Sequence, residues 1–255
     1  MFPGESETND QSHKYLTVTS SLQIPRPSEI GQLLRGETEV IAAWSQRRSV
    51  GRFILHLVAI ILGSGLYGAA MGWWRAPQQA LFVAIKFPLI ILMVIFGNAL
   101  INGLLAPLLG LNIRFHQSCA AILMSFTVTS AILGAFSPVM AFLIWNAPAM
   151  SVNPYDETVY SLILLAHVAV IALAGTAGNL RLFELLRHWS PTRRIALRVL
   201  AIWFCGNLFL GTQLTWILRP FIGSPRLPIQ FLRADAFHGN FYETVLRSFQ
   251  HIFAH

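Results

Sequence analysis

Four polar residues could do chemistry because each falls inside an apolar run: Asn98, Asn102, His167 and Asn207. A side-chain amide carries two donors and an acceptor, and a neutral imidazole carries one of each. In hydrocarbon such groups need partners, so they either stitch helices together or line a polar path. Asn98 and Asn102 are one helical turn apart and therefore share a face. Thr127, Thr129, Ser130, Asn179, Thr212 and Gln213 would extend a path built from other runs. None of these residues is acidic. Proton- or cation-coupled carriers usually place an Asp or Glu within the membrane, and no apolar run here holds one at its core. That composition argues against an ion-coupled pump. His167 is the most deeply placed ionisable group, and a bond to a neighbouring carbonyl or hydroxyl is its expected fate.

Lys86 is the cation nearest to this set. An intramembrane lysine is a functional candidate by default. A span that starts at Phe87 instead lets Lys86 reach back to the interface, and the sequence favours that reading. Other chemistry is missing from the pattern. No metal-ligand spacing, nucleophile elbow or phosphate-cradling glycine loop occurs, and Gly63-Ser64-Gly65 lies inside an apolar run without the residues that such a loop requires. The expectation is a non-catalytic protein with no cofactor and no metal. Cys119 and Cys205 lie in apolar runs and read as small buried hydrophobes.

The elements that must position these residues follow from charge-free runs. Only 11% of the chain is charged and 55% is hydrophobic, against about 25% charged in a soluble domain. The fold class is therefore all-α, an integral membrane bundle of five spans. The spans are expected at 53–74, 87–111, 117–136, 159–179 and 199–218. The second lies in the 27 residues from Phe87 to Ile113, none of them ionised. From Phe115 to Tyr155 the chain runs 41 residues without a formal charge. One continuous helix of that length would be about 60 Å, twice the hydrocarbon thickness. Pro138 and Pro148 are the natural breaks, giving one span with a kinked extension to 145; a hairpin is the alternative.

Before the first span, residues 1–27 form a polar tail expected to be disordered. Residues 28–50 read as an amphipathic helix, with Ile30, Leu33, Leu34, Val40, Ile41 and Trp44 on one face. It would lie in the interface or pack on the bundle. In the first span Ser64, Gly68 and Gly72 repeat every fourth residue and invite a close helix neighbour, either within the chain or across a dimer seam. Residues 75–86 read as a short connection with a small helix at Pro77. Residues 220–255 are rich in phenylalanine and are expected to fold back on the bundle, with a short helix at 240–253.

The net charge of +7 does not point to nucleic acid, because the basic residues sit at the ends of apolar runs. Lys86, Arg181, Arg187, Arg193 and Arg194 are the candidates for the interface and for anionic lipid headgroups. Arg47, Arg48, Arg52, Arg114, Arg181, Arg187, Arg193 and Arg194 fall on the N-terminal side of five spans, and Arg75, Arg219 and Arg226 on the other. The bias predicts a cytoplasmic N-terminus and an external C-terminus.

One resemblance adds to this reading. The block Gly65-Leu-Tyr-Gly68, Lys86-Phe-Pro88, Asn98-Ala-Leu-Ile-Asn102 and His116-Gln-Ser118, closing with Trp216-Ile-Leu-Arg-Pro-Phe-Ile-Gly-Ser-Pro225, resembles a group of uncharacterised bacterial polytopic membrane proteins. Span count and polar N-terminal tail are similar to the Yip family, five-span proteins of membrane trafficking and shaping. The resemblance implies a non-catalytic membrane factor and carries no site residue across. With the five spans it leads to the expectation of a scaffold or accessory subunit of the bacterial inner membrane, partnered by the lipid bilayer and by another membrane protein or a second copy. The competing expectation is a small permease or channel that uses Asn98, Asn102, His167 and Asn207.

Overall fold

The structure, a computed structural model, describes residues 28–37, 49–150, 154–223 and 228–243. Its long elements are helices: α1 (Ser28–Arg35), α2 (Val50–Trp73), α3 (Pro77–Leu108), α4 (Phe115–Trp145), α5 (Pro154–Trp189) and α6 (Arg193–Ile217). The last five are each long and apolar enough to cross a membrane. The chain is an integral membrane helical bundle.

Most helices outrun the stretch that predicts them, because an apolar run marks only the part in hydrocarbon. The helix continues until a cap or a breaker stops it. Ser49 opens α2 by accepting the Arg52 N–H at 3.4 Å, and Thr192 opens α6 by accepting that of Ile195 at 3.4 Å. Pro77 does not start a separate small helix. It starts α3 itself, which runs 32 residues through Pro88. Nor does Pro138 break α4, which is continuous to Trp145, so the hairpin alternative is removed. A proline leaves the carbonyl four residues back without its helical N–H. For Pro138 that carbonyl belongs to Gly134, and the Ser137 hydroxyl donates to it at 2.7 Å. Serine before proline repairs the gap.

Helix α4 is central and packs on α2, α3 and α5. Gly68 and Gly72 lie on the α2 face that meets α3; a Cβ at either would fall 2.6 Å from a carbonyl oxygen, of Val83 or of Gln79. Ser64 is fully buried and donates to the Ile60 carbonyl. The small-residue face is thus consumed inside the chain rather than offered to a second copy. A second close crossing, between α2 and α4, is built from Gly63 and Gly134. The cysteines are unpaired, and Cys205 is exposed on the outer face of α6 rather than buried.

The amphipathic helix differs from its expected 28–50 span. It stops at Arg35 because Gly36 turns left-handed at φ 75°, and the Glu37 N–H caps the Gln32 carbonyl at 3.3 Å. Val40, Ile41 and Trp44 lie outside the described residues. Helix α1 packs on the bundle: Leu33 is buried with Ala121, Leu182, Leu186 and Trp203. Glu29 pairs with Arg52 at 3.3 Å.

The tail also folds back, as its aromatic content predicts. Phe231 meets Phe82 edge-on at 5.5 Å, and Tyr242 stacks on Phe209 at 5.7 Å and shares a 2.8 Å hydrogen bond with Thr212. Asp235 pairs with Arg219 at 3.0 Å. Of the helix expected at 240–253, residues 241–243 are helical and 244–255 lie outside the described residues.

Candidate functional site

The four intramembrane candidates fall into two separate polar centres. The first joins α3 to α6. Asn98 is fully buried, and its Nδ2 donates both to the Val94 carbonyl at 3.1 Å and to Oδ1 of Asn207. Nδ2 of Asn102 reaches Oδ1 of Asn98 at 3.4 Å. Gly206 makes the approach possible, since a Cβ there would fall 2.8 Å from that same Oδ1. The hydroxyls singled out beside them are largely occupied by backbone. Thr127 donates to Leu123 O at 2.8 Å and Thr212 to Leu208 O at 2.7 Å, while Thr129 also reaches Ala174 O of α5 at 3.3 Å.

An interhelical amide bond in a membrane is worth roughly 0.6–2 kcal/mol. Asn98→Leu and Asn207→Leu are each expected to destabilise the bundle within that range. The double variant should cost less than the sum, because the two share one bond. Unfolding by denaturing detergent, followed by circular dichroism, measures all three.

The second centre is His167. The structure does not place it with the asparagines. Its Nδ1 lies 2.9 Å from the Tyr67 hydroxyl, which also contacts the His167 carbonyl at 3.4 Å. His167 is 1% exposed, and its Nε2 has no hydrogen-bond partner among the described residues. It lines a cavity of about 500 Å³ together with Ile90, Tyr160, Thr215, Phe221 and Arg233.

The geometry of α6 opens this cavity. Towards its N-terminus Ala196, Val199 and Trp203 pack with Leu182, Leu185 and Leu186 of α5. Towards its C-terminus Leu218, Leu210 and Leu214 pack with Ile90 and Val94 of α3, and no α5 residue joins that cluster. Helix α6 therefore leans away from α5, and the chain after it, Pro220 to Gly223, lines the gap.

Lys86 holds that segment, which corrects the expectation that it reaches lipid. The side chain is 0% exposed; its Nζ donates to the Pro220 carbonyl at 3.1 Å. It also stands 5.1 Å from the Phe231 ring centre and 5.9 Å from that of Phe221. Gln79 donates to the carbonyls of Pro220 at 3.0 Å and Phe221 at 2.8 Å. Because α3 begins ten residues earlier than the charge-free run, Lys86 is interior to the helix, and the returning chain covers it.

Of the remaining basic candidates, Arg181 is engaged within the protein. It pairs with Glu184 at 2.8 Å and donates to the Leu34 carbonyl at 2.9 Å, which ties α1 to α5. Arg187, Arg193 and Arg194 are exposed at the same end. Sequence reasoning missed Tyr67, Gln79 and Arg233. Arg233, a cation set among the phenylalanines of the tail, was the available signal. Comparison with family models, with curated proteins and with solved structures finds no match.

Proposed function

We propose that this chain is a non-catalytic scaffold or accessory subunit of an assembly in the bacterial inner membrane, with its N-terminus cytoplasmic and its C-terminus outside. The observation that carries this reading is the Asn98–Asn102–Asn207 network. Asn98 and Asn102, the groups best placed for a transport path, donate to the Val94 carbonyl, to Asn207 and (from Asn102) to the Asn98 amide rather than to a water-filled channel. A path would need them solvated and converging on one cavity, whereas a stitch between helices supports a body that holds its shape. The five-span architecture, similar to that of the Yip family, agrees with this role. The surfaces left for a protein partner are the two ends. The exposed Arg187, Arg193 and Arg194 mark the cytoplasmic one, where they also suit anionic headgroups.

A permease or channel component is the second reading, favoured by the cavity at His167. Purification of a tagged copy from its native membrane in mild detergent separates the two. A stoichiometric partner is expected for an accessory subunit. A homo-oligomer with nothing bound, followed by solute flux in liposomes, would replace that reading with the permease.

A further inference from the structure

We propose that the cavity between α3, α5 and the C-terminal end of α6 binds an anionic amphiphile, an acyl chain carrying a phosphate or carboxylate head. The wall is mainly apolar: Ile90, Ile91, Leu164, Val168 and Phe221 supply a surface for a hydrocarbon tail. The polar side chains are few, and the charged ones among them are of one sign. Arg219 and Arg233 line the cavity, and no acid does among the described residues.

The two arginines are not equivalent. Arg219 is matched, since its guanidinium meets the Asp235 carboxylate at 3.0 Å and stacks 3.9 Å from the Trp216 ring centre. Arg233 has no ion pair among the described residues. A half-buried guanidinium without a carboxylate, beside the covered Lys86, leaves positive charge that a bound anion would neutralise.

The second observation is His167. Its Nε2 is a buried polar atom without a partner among the described residues, and such atoms in a native fold call for a water, an ion or a ligand. The Tyr67 hydroxyl stands 2.9 Å from Nδ1 and 3.4 Å from the His167 carbonyl, and an anion in the cavity would favour the tautomer that carries its proton on Nε2. In that tautomer the imidazole offers the cavity a donor. A guanidinium with no carboxylate of its own among the described residues selects an anion, and the apolar wall selects one with a tail.

The test uses the full-length protein in a neutral detergent, with retained ligand counted by native mass spectrometry. The probes are dioleoylphosphatidic acid, oleate, dioleoylphosphatidylcholine and inorganic phosphate. Phosphatidic acid or oleate is expected to be retained at one per chain, with phosphatidylcholine held at least about tenfold more weakly. A strong preference for oleate assigns the head as a carboxylate, and the reverse preference as a phosphate. Arg233→Gln is expected to lower the affinity about tenfold or more, the usual worth of a hydrogen bond to a charged group. Arg233→Lys, which keeps the charge, should retain most of it. A thermal melt of each variant establishes that it is folded. Equal retention of phosphatidylcholine, or unchanged affinity in folded Arg233→Gln, overturns the anionic head. Inorganic phosphate binding as tightly as the lipids overturns the tail.

Discussion

Gly63→Leu is expected to yield a protein that no longer holds α2 against α4. A Cβ on Gly63 would overlap the Ser130 carbonyl oxygen, and a Cβ on Gly134 would fall 2.9 Å from the Gly63 Cα. Both obstacles are backbone, so no rotamer change relieves them, and the helices must separate along their whole crossing. Overpacking costs about 1–3 kcal/mol where side chains can move; here about 3 kcal/mol or more is expected. That crossing belongs to one of the two most extensive helix pairs in the fold, so the loss spreads to its neighbours. Detergent-solubilised variant should melt far below the parent or elute as aggregate on gel filtration. Gly175→Ala is the matched control, because nothing lies within 4 Å of a Cβ there. It should be tolerated. Equal melting of Gly63→Leu and the parent would sink this account of the crossing.

Lys86→Ala is expected to release the segment after α6. The lysine fills a covered site, donates to Pro220 and faces two aromatic rings. Truncation removes the bond and leaves a void, together worth about 2–4 kcal/mol. The loss falls on residues 219–223 and 228–233 rather than on the whole bundle, because Leu218 remains packed on Ile90 and Val94. Limited trypsin digestion reads this directly, with cleavage after Arg233 appearing at protease levels that spare the parent. Lys86→Met keeps most of the volume and exchanges a buried cation, unpaired with any acid among the described residues, for an apolar tip. Gln79 still holds the Pro220 carbonyl. The methionine variant should therefore stay within about 1 kcal/mol of the parent. If methionine and alanine opened the segment equally, the contribution of packing at Lys86 would be wrong.

These two residues also mark how far the sequence could be read. The five helices were legible because a charge-free run of 20 or more residues has one physical solution in hydrocarbon. The asparagine pair announced itself by spacing, and Asn207 joined it because amides in hydrocarbon seek amides. Lys86 was misplaced for the opposite reason. Its partner is the backbone carbonyl of Pro220, 134 residues away, and a carbonyl leaves no trace in residue type. Gly63 was visible only as part of a failed phosphate loop, and Gly134 carried no pattern at all. Their significance lies in which helices cross, and helix order along the chain does not reveal that. The end of α1 was readable from Gly36 after Arg35, a familiar helix stop. The continuing apolar period through Val40, Ile41 and Trp44 masked it. The aromatic tail was read correctly as returning to the bundle. Its position under α6 depends on the lean of that helix, which no local pattern encodes.

The close crossing has a further meaning in time. Gly63 and Gly134 are about 70 residues apart in the chain. At common rates of synthesis α2 emerges roughly 4 to 14 s before the matching turn of α4. During that interval the membrane-spanning neighbour available to α2 is α3, through Gly68 and Gly72. The groove around Gly63 waits open, with Ser64 beside it, and must be filled by lipid or by the insertion machinery. The first hairpin is thus a nascent-chain intermediate with one unfinished flank. That flank closes only with the arrival of α4, whose Gly134 meets Gly63.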